Sequence, residues 1–369
     1  MKNIPYAKQW IEDDDVEAVK KVLKSDWLTG GPEVGEFEKK FADYVGARYA
    51  VAVNSGTSAL DIAVASLELS PGSEIITTPF TFVASSNCIL YNQCKPVFAD
   101  IKKDTYNIDP EEIRKKITPK TKAILCVDYA GQPCDIDEIK EIANEHGLRL
   151  IEDAAHALGA EYKGKKVGAF ADITEFSFHP VKHITTGEGG MLTTDDEGIW
   201  KRLRMLRNHG INKSASERTG YGYDMKLLGR NYRISGMQCA LGINQLGKIE
   251  HFLKRRRDIA QKYRESLSSV SGITVPFVKS DVNPSWHLYP VLVEGTDRDK
   301  FYYEIQKRGI KVNVHYLPIY SFSYYKDLGY GPLPVTDYTS EHEVSLPMFP
   351  KMENSEVDYV IDAVKEVME

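Results

Sequence analysis

The chain has 369 residues, 42% hydrophobic and 27% charged, which suits a soluble globular enzyme of two domains sharing an interface. A net charge of −6 and a pI near 5.9 argue against a dedicated nucleic-acid binder. Five scattered cysteines (Cys88, Cys94, Cys126, Cys134 and Cys239) have no CxxC spacing, which argues against a zinc site or disulfide framework and for a reducing cytoplasm.

The N-terminus, MKNIPYAKQWIEDDD, carries acids where a signal peptide needs an apolar core. No uncharged run approaches the length of a membrane span. From about residue 48 the chain alternates. Tyr49 to Val53 predicts a strand, ending at Asn54-Ser55-Gly56-Thr57, and Ser58 to Leu69 a helix rich in Ala and Leu. Glu74 to Thr78 is a strand stopped by Pro79, Val83 to Leu90 a helix and Lys95 to Ala99 a strand. Asp109 to Ile117 is a helix with Pro110 in its first position. Ala123 to Val127 is a buried strand, Ile136 to His146 a helix and Leu148 to Glu152 a strand. This rhythm predicts an α/β fold with a mostly parallel sheet covered on both faces, and such sheets bind ligands beyond the carboxyl ends of their strands.

Between Asn212 and Arg230 the chain turns polar and Gly-rich, a long surface loop. A long helical stretch from about Ser235 to Leu267 follows. It contains Lys254-Arg255-Arg256-Arg257, which reads as a solvated face or subunit contact rather than an RNA patch. Past Ser271 the pattern becomes strand, helix, strand. We place a large domain over residues 1–245 and a smaller C-terminal α+β domain over 246–369.

Three segments could carry chemistry. In Asn54-Ser55-Gly56-Thr57-Ser58 a strand gives way to a helix through a glycine, so unpaired N–H groups, the helix dipole and hydroxyls could hold a phosphate. A plain N-cap would look the same. In Ile151-Glu152-Asp153-Ala154-Ala155-His156 two acids follow an apolar strand, so one carboxylate faces the cleft and needs a cationic partner. His156 could lie over a ligand ring or be an ordinary buried histidine. In Phe176-Ser177-Phe178-His179-Pro180-Val181-Lys182 a strand leads through a turn to a lysine, with Gly187, Gly189 and Gly190 beyond. A desolvated lysine there becomes a nucleophile, although an exposed turn lysine is the commoner outcome. No metal site is indicated, since His179 and His183 lack a matching carboxylate or cysteine at ligand spacing. Together, a phosphate cradle, a strand-end acid and a later lysine are what pyridoxal 5'-phosphate requires. They would anchor the phosphate, keep the ring nitrogen protonated and hold the aldehyde as a Schiff base on Lys182.

In this order NSGTSAL, TTPFTFVAS, IEDAAHALGA, SFHPVKHITTGEGG and RNYRIS resemble the DegT/DnrJ/EryC1/StrS sugar aminotransferases, from Tyr6 to about Pro350. The resemblance implies the aspartate-aminotransferase-like fold type I of pyridoxal-phosphate-dependent transferases. It implies catalysis by Lys182, with Asp153 on the ring nitrogen, Phe82 against the ring, and Ser177, Gly56 and Thr57 on the phosphate. Asn231 would reach the cofactor of a neighbouring subunit, hence a homodimer with shared sites. Some relatives are dehydratases with histidine at the lysine position, so Lys182 favours transamination. Within the family, IPYAKQWIEDDDVEAV, VDYAGQPCDI, SWHLYPV and VNVHYLPIY look closest to the transaminases of pseudaminic acid biosynthesis. Those use L-glutamate to aminate C4 of a UDP-linked 4-keto-6-deoxy-N-acetyl-L-hexosamine. The likeness implies nucleotide-sugar contacts from an N-terminal segment, 1–30, at Tyr6, Asp26, Trp27, Leu28 and Thr29, and from His315, Tyr316 and Leu317. Asp26-Trp27-Leu28 is bulkier and less basic than those enzymes lead one to expect.

Overall fold

The computed structural model describes residues 3–213 and 220–369. Two helices come first, α1 (Asp13–Leu23) and α2 (Pro32–Val45). The alternating region follows as β1 (Tyr49–Val53), α3 (Gly56–Ser66), β2 (Glu74–Thr77), α4 (Ala84–Tyr91), β3 (Lys95–Phe98), α5 (Pro110–Lys116), β4 (Thr121–Val127), α6 (Ile136–His146) and β5 (Arg149–Asp153). Next are β6 (Glu161–Tyr162), β7 (Lys165–Lys166), β8 (Ile173–Ser177), β9 (Gly190–Thr194), α7 (Glu197–Arg207), α8 (Gly236–Gly247) and α9 (Ile249–Leu267). The chain ends through β10 (Ile273–Thr274), β11 (Val282–Asn283), β12 (Tyr289–Val293), α10 (Arg298–Lys307), α11 (Ser323–Asp327), α12 (Pro334–His342), β13 (Glu343–Leu346) and α13 (Asn354–Met368).

Seven strands form one sheet in the order β1-β9-β8-β5-β4-β2-β3. Only β9 runs against its neighbours, so the carboxyl ends of β1, β2, β4, β5 and β8 gather along one edge. Period-two alternation gives the sheet two apolar faces. Val51 and Val53 of β1, Ile151 of β5 and Ile173 of β8 meet α3, α4 and α7 on one face. Ala50, Ala52, Phe176 and Phe178 meet α2 and α8 on the other, and Ile76, Ile124 and Leu150 meet α5 and α6 there. This is the mostly parallel α/β sheet that the alternating pattern predicts. A second sheet, β10-β12-β13, is antiparallel and builds its own core with α9, α10 and α13 around Tyr263, Tyr289, Phe301 and Val360.

Three features differ from the sequence expectations. First, α1 and α2 lie before the region in which the pattern was read. Asp13, Asp14 and Asp15 open α1 where the helix dipole favours acids, and Pro32 opens α2. Both pack on α8. The buried Asp15 accepts from Asn244 Nδ2 at 2.7 Å and Gln245 Nε2 at 2.9 Å. Second, the continuous helix expected over Ser235–Leu267 is two, broken at Gly247-Lys248. Leu246 of α8 and Ile249, Phe252 and Leu253 of α9 belong to the large-sheet core and Ile259 to Leu267 to the small one, so α9 passes from one core to the other beyond a break that falls at Gly247, a poor helix former. The Lys248 ammonium is drawn to Glu12, Asp14 and Asp15 at the break.

Third, the basic run is not a solvated face. Arg256 is only 1% exposed, and its Nη1 donates to the carbonyls of Trp286 (3.0 Å), His287 (3.2 Å) and Met348 (3.3 Å). Arg255 binds the Met352 carbonyl, and Arg257 those of Pro284 and Gly159. The reason is position. α9 runs between the two sheets, so its guanidinium groups pair carbonyls that irregular chain leaves unpaired. Lys254 alone of the four stays exposed, bridged to Asp258. Of the expected surface loop over Asn212–Arg230, residues 214–219 lie outside the described residues. Its described end carries an Ile211–Met225 bridge and exposes Tyr221 and Leu228. Among the described residues no helix is long and apolar enough to cross a membrane, and no His, Cys, Asp and Glu group could hold a metal ion.

Candidate active site

The carboxyl edge of the large sheet opens on a cavity of about 690 Å³, lined at its base by Ser55, Val127, Asp153, Glu175, Ser177 and Lys182. At one end α3 begins. Ser55 caps it, its Oγ accepting from Ser58 N at 3.1 Å. Helix geometry leaves the Gly56 and Thr57 N–H groups without intrahelical partners, next to the positive end of the dipole. Glycine at position 56 keeps this corner open, since a Cβ there would lie 2.7 Å from Glu175 Oε1 and 3.0 Å from Ser177 Cβ. Thr57 and Ser177 bring hydroxyls to the same corner.

Asp153 ends β5. Its carboxylate is only 4% exposed and shares a face with Ile151. Ser85 Oγ of α4 donates to Oδ2 at 2.7 Å, and the Ala155 N–H donates to Oδ1 at 3.1 Å. Since the Ser85 proton is so engaged, Thr81, 3.0 Å away, donates to the Ser85 oxygen. This chain fixes one carboxylate at the cavity floor. Beside it in register on β8 stands Glu175, fully buried, both oxygens without a hydrogen-bond partner. Burial and the nearby Asp153 charge hold the Glu175 carboxyl well above the usual carboxylate range.

Lys182 follows the turn after β8, half-buried, with its Nζ in the cavity 3.4 Å from His287 Nε2. Burial lowers its pKa to about 8; Asp153 and Glu175 oppose the fall, and Arg256 adds to it. The His287, His156 and His183 rings cluster around it, with centroids 4.3 Å apart for His156–His287 and 5.7 Å for His183–His287. Burial keeps all three imidazoles neutral, far below their ordinary range. His156 Nδ1 accepts from the Ala130 N–H at 3.3 Å, so Nε2 carries the proton and donates to Tyr316 Oη at 3.1 Å.

The outer wall belongs to the second half of the chain and the N-terminus. Tyr6 enters because Ile4 bridges Ile310 and the Met348 N–H donates to the Tyr6 carbonyl. Its ring lies 5.9 Å from that of His315. Tyr316 and Leu317 complete this wall, and Phe82 stands 59% exposed at the mouth. Thus Ser55, Gly56, Thr57, Phe82, Asp153, His156, Ser177 and Lys182 come together with Tyr6, His315, Tyr316 and Leu317. Asp26, Trp27, Leu28, Thr29 and Asn231 do not line this cavity; all five are exposed. Trp27 and Thr29 line a separate cavity of about 490 Å³ with Asn208, whose backbone bridges Asn231.

Among the residues of the site without a role assigned from sequence, Ser85, His287 and Glu175 bear directly on Asp153 and Lys182. Ser85 and His287 sit inside motifs quoted for the resemblance, but nothing local ties them to Asp153 or Lys182, 68 and 105 residues away. Glu175 did leave a signal. It lies two residues before Ser177 on a strand, hence on the same face.

Residues 9–365 match the DegT/DnrJ/EryC1/StrS aminotransferase family. The spore coat polysaccharide biosynthesis protein SpsC of Bacillus subtilis is 39% identical over 99% of this chain and 97% of its own length. The structure of Helicobacter pylori PseC, an aminotransferase involved in the biosynthesis of pseudoaminic acid, superposes with a TM-score of 0.95 at 35% identity, covering 100% of this chain and 99% of that one. A putative sugar aminotransferase of Streptococcus pneumoniae, Spr1654, reaches 0.94 at 32% identity, covering 100% of this chain and 99% of its own in its PLP-form; its PMP-form is equally similar. The residues present fit that cofactor. The first turn of α3 is open where a Cβ would fill it, a fixed carboxylate lies on the floor, and an amine of lowered pKa enters the same cavity.

Proposed function

Because the chain belongs to the DegT/DnrJ/EryC1/StrS aminotransferase family, a family of sugar aminotransferases dependent on pyridoxal phosphate, we propose that it moves an amino group from L-glutamate to C4 of a nucleotide-linked 4-keto-6-deoxy sugar. The acceptor we propose is a UDP-4-keto-6-deoxy-N-acetyl-L-altrosamine-type precursor, for a surface glycan containing pseudaminic acid. The observation that carries this reading is the convergence of Lys182, Asp153 and the first turn of α3 on one cavity, with lysine and not histidine at position 182. The likeness to PseC over the whole chain supports the sugar.

Bound in the cavity, pyridoxal phosphate supplies an electron sink and carries the amino group between donor and acceptor. Ser55, Gly56, Thr57 and Ser177 would hold its phosphate, Asp153 its ring nitrogen, and Phe82 and His156 its ring. Lys182 takes and returns the proton at the reacting carbon in each half of a ping-pong cycle. Tyr6, His315, Tyr316 and Leu317 would face the nucleotide sugar. Asn231 and the segment Asp26 to Thr29 would serve the site of a second subunit, in a homodimer. We assign residues 1–245 to the cofactor domain and 246–369 to the small domain. The free, buried cysteines suit a cytoplasmic location.

A second reading keeps the C4 chemistry and changes the sugar, to a bacillosamine, perosamine or 4-amino-arabinose precursor. The 39% identity to SpsC, a protein of spore coat polysaccharide biosynthesis, leaves room for such a sugar. The test is a panel of UDP-, GDP- and dTDP-4-keto-6-deoxy sugars offered with L-glutamate, scored by 2-oxoglutarate release and product mass. Amination of the UDP-linked N-acetyl-L-sugar alone is the expected result. Preference for another nucleotide sugar selects the second reading. Loss of water in the product, or no 2-oxoglutarate with any member, rejects both.

A further inference from the structure

Glu175 is a buried acid that the reading above leaves unused. It is 0% exposed, lines the cavity, and neither carboxyl oxygen has a hydrogen-bond partner. It lies between two places meant for charge. On one side is Asp153, its register partner on the adjacent parallel strand. On the other are the first turn of α3, close enough that a Cβ on Gly56 would meet Glu175 Oε1, and Ser177. An ionised carboxylate there would be desolvated, unpaired and next to a second anion, and would face the phosphate that the α3 turn receives. A buried acid in that position keeps its proton.

We infer that Glu175 is an additional residue of the cofactor site, a neutral carboxylic acid that positions Asp153 by donating its proton toward it and admits the cofactor phosphate only while un-ionised. This rests on the proposed cofactor reading. Other groups facing Glu175 do not replace that proton. Asp153 on β5 is an anion and raises the Glu175 pKa; Lys182 lowers it without cancelling the effect of burial. The Cys88 thiol of α4 is pushed up by burial and stays neutral. On β9 the register partner is Leu192, and on α3 the neighbour is Gly56, neither of which titrates. The sign follows. Burial keeps the protonated form well above the usual carboxylate range, and ionisation as pH rises further adds a negative charge beside the phosphate and loosens the cofactor.

The test is cofactor retention by the holoenzyme, read from the visible band of the bound cofactor during dialysis at a series of pH values, for wild type, Glu175→Gln and Glu175→Ala. Glutamine keeps the shape and a donor but never ionises. Wild type should lose affinity at least about tenfold between neutral and alkaline pH, Glu175→Gln much less, and Glu175→Ala should be weak already at neutral pH. A Glu175→Gln protein that follows the wild-type pH course overturns the inference. So does one that has lost the cofactor at neutral pH as fully as Glu175→Ala. A wild-type protein that never develops the band counts instead against the cofactor reading itself.

Discussion

What makes Lys182 useful is the pH at which its amine loses its proton. An exposed lysine does so near 10.5, while burial brings Lys182 to about 8. The neutral amine is the nucleophile, so attachment of pyridoxal phosphate to the apoprotein should accelerate as pH rises through about 8 and level off above it. Stopped-flow absorbance of the visible band checks this, and a rate still climbing near pH 10.5 would show the lysine to be ordinary. Lys182→Ala should bind the cofactor without attaching it and lose turnover by roughly 10³- to 10⁴-fold. Lys182 and Asp153 were legible because each sits in a local pattern with a chemical meaning, a lysine after a tight turn and an acid at a strand end. Their surroundings were not. The Ser85 bond and the His287 contact join residues far apart in sequence, and the direction of the Arg256 side chain depends on a second sheet that a basic run in one helix does not reveal.

At the scale of elements, β13 shows how an edge of the small sheet reaches the outer wall of the cavity. Glu343 is fully buried at its start. Its Oε2 accepts from the His315 N–H at 2.7 Å, its Oε1 accepts from Ser345 Oγ, and Ser345 Oγ lies 2.9 Å from His315 Nδ1. Burial lifts the Glu343 carboxyl to about 8, against smaller opposing effects of Ser345, His315 and Arg298. The folded state therefore holds a proton that the unfolded chain has released above its ordinary value of 4.5, so this residue makes stability fall as pH rises from about 4.5 to about 8. Glu343→Gln removes that loss. Its melting temperature relative to wild type should climb across the same window, by the equivalent of about 5 kcal/mol at most. Differential scanning calorimetry at several pH values reads it, and a constant difference would mean that Glu343 is ionised throughout. The elements between Tyr49 and Asp153 were legible within two or three residues, β1 and α6 among them, because strong apolar periodicity lay between Gly and Pro punctuation. α1 and α2 were passed over because their buried faces are narrow and the partner, α8, comes some 200 residues later. The break between α8 and α9 falls where Lys248 meets Glu12, Asp14 and Asp15, partners from a distant part of the chain that one helix's periodicity does not report.

On the scale of the whole molecule, the residues expected at the site divide into two groups. One converges on the main cavity. The other, Trp27, Thr29 and Asn231, lies around a separate hollow on the exposed side of α7, where Gly236 N–H donates to the Leu28 carbonyl and Asn208 bridges Asn231. Within one chain the second group does not reach the main cavity. Its clustering supports a homodimer in which each subunit completes the other's site, and that arrangement makes a quantitative prediction. Lys182→Ala and Asn231→Ala should each be inactive alone. In a mixed dimer, one site takes Lys182 from the Asn231→Ala chain and Asn231 from the Lys182→Ala chain, and is intact; the other site carries both defects. Equal mixing after dissociation gives about half mixed dimers, each with one working site of two, so activity should return to about a quarter of wild type. Sedimentation of the mixture confirms exchange. Exchange without recovered activity would place Asn231 in the same subunit's site and remove the basis for shared sites, whereas an Asn231→Ala protein of full activity would remove Asn231 from the chemistry altogether.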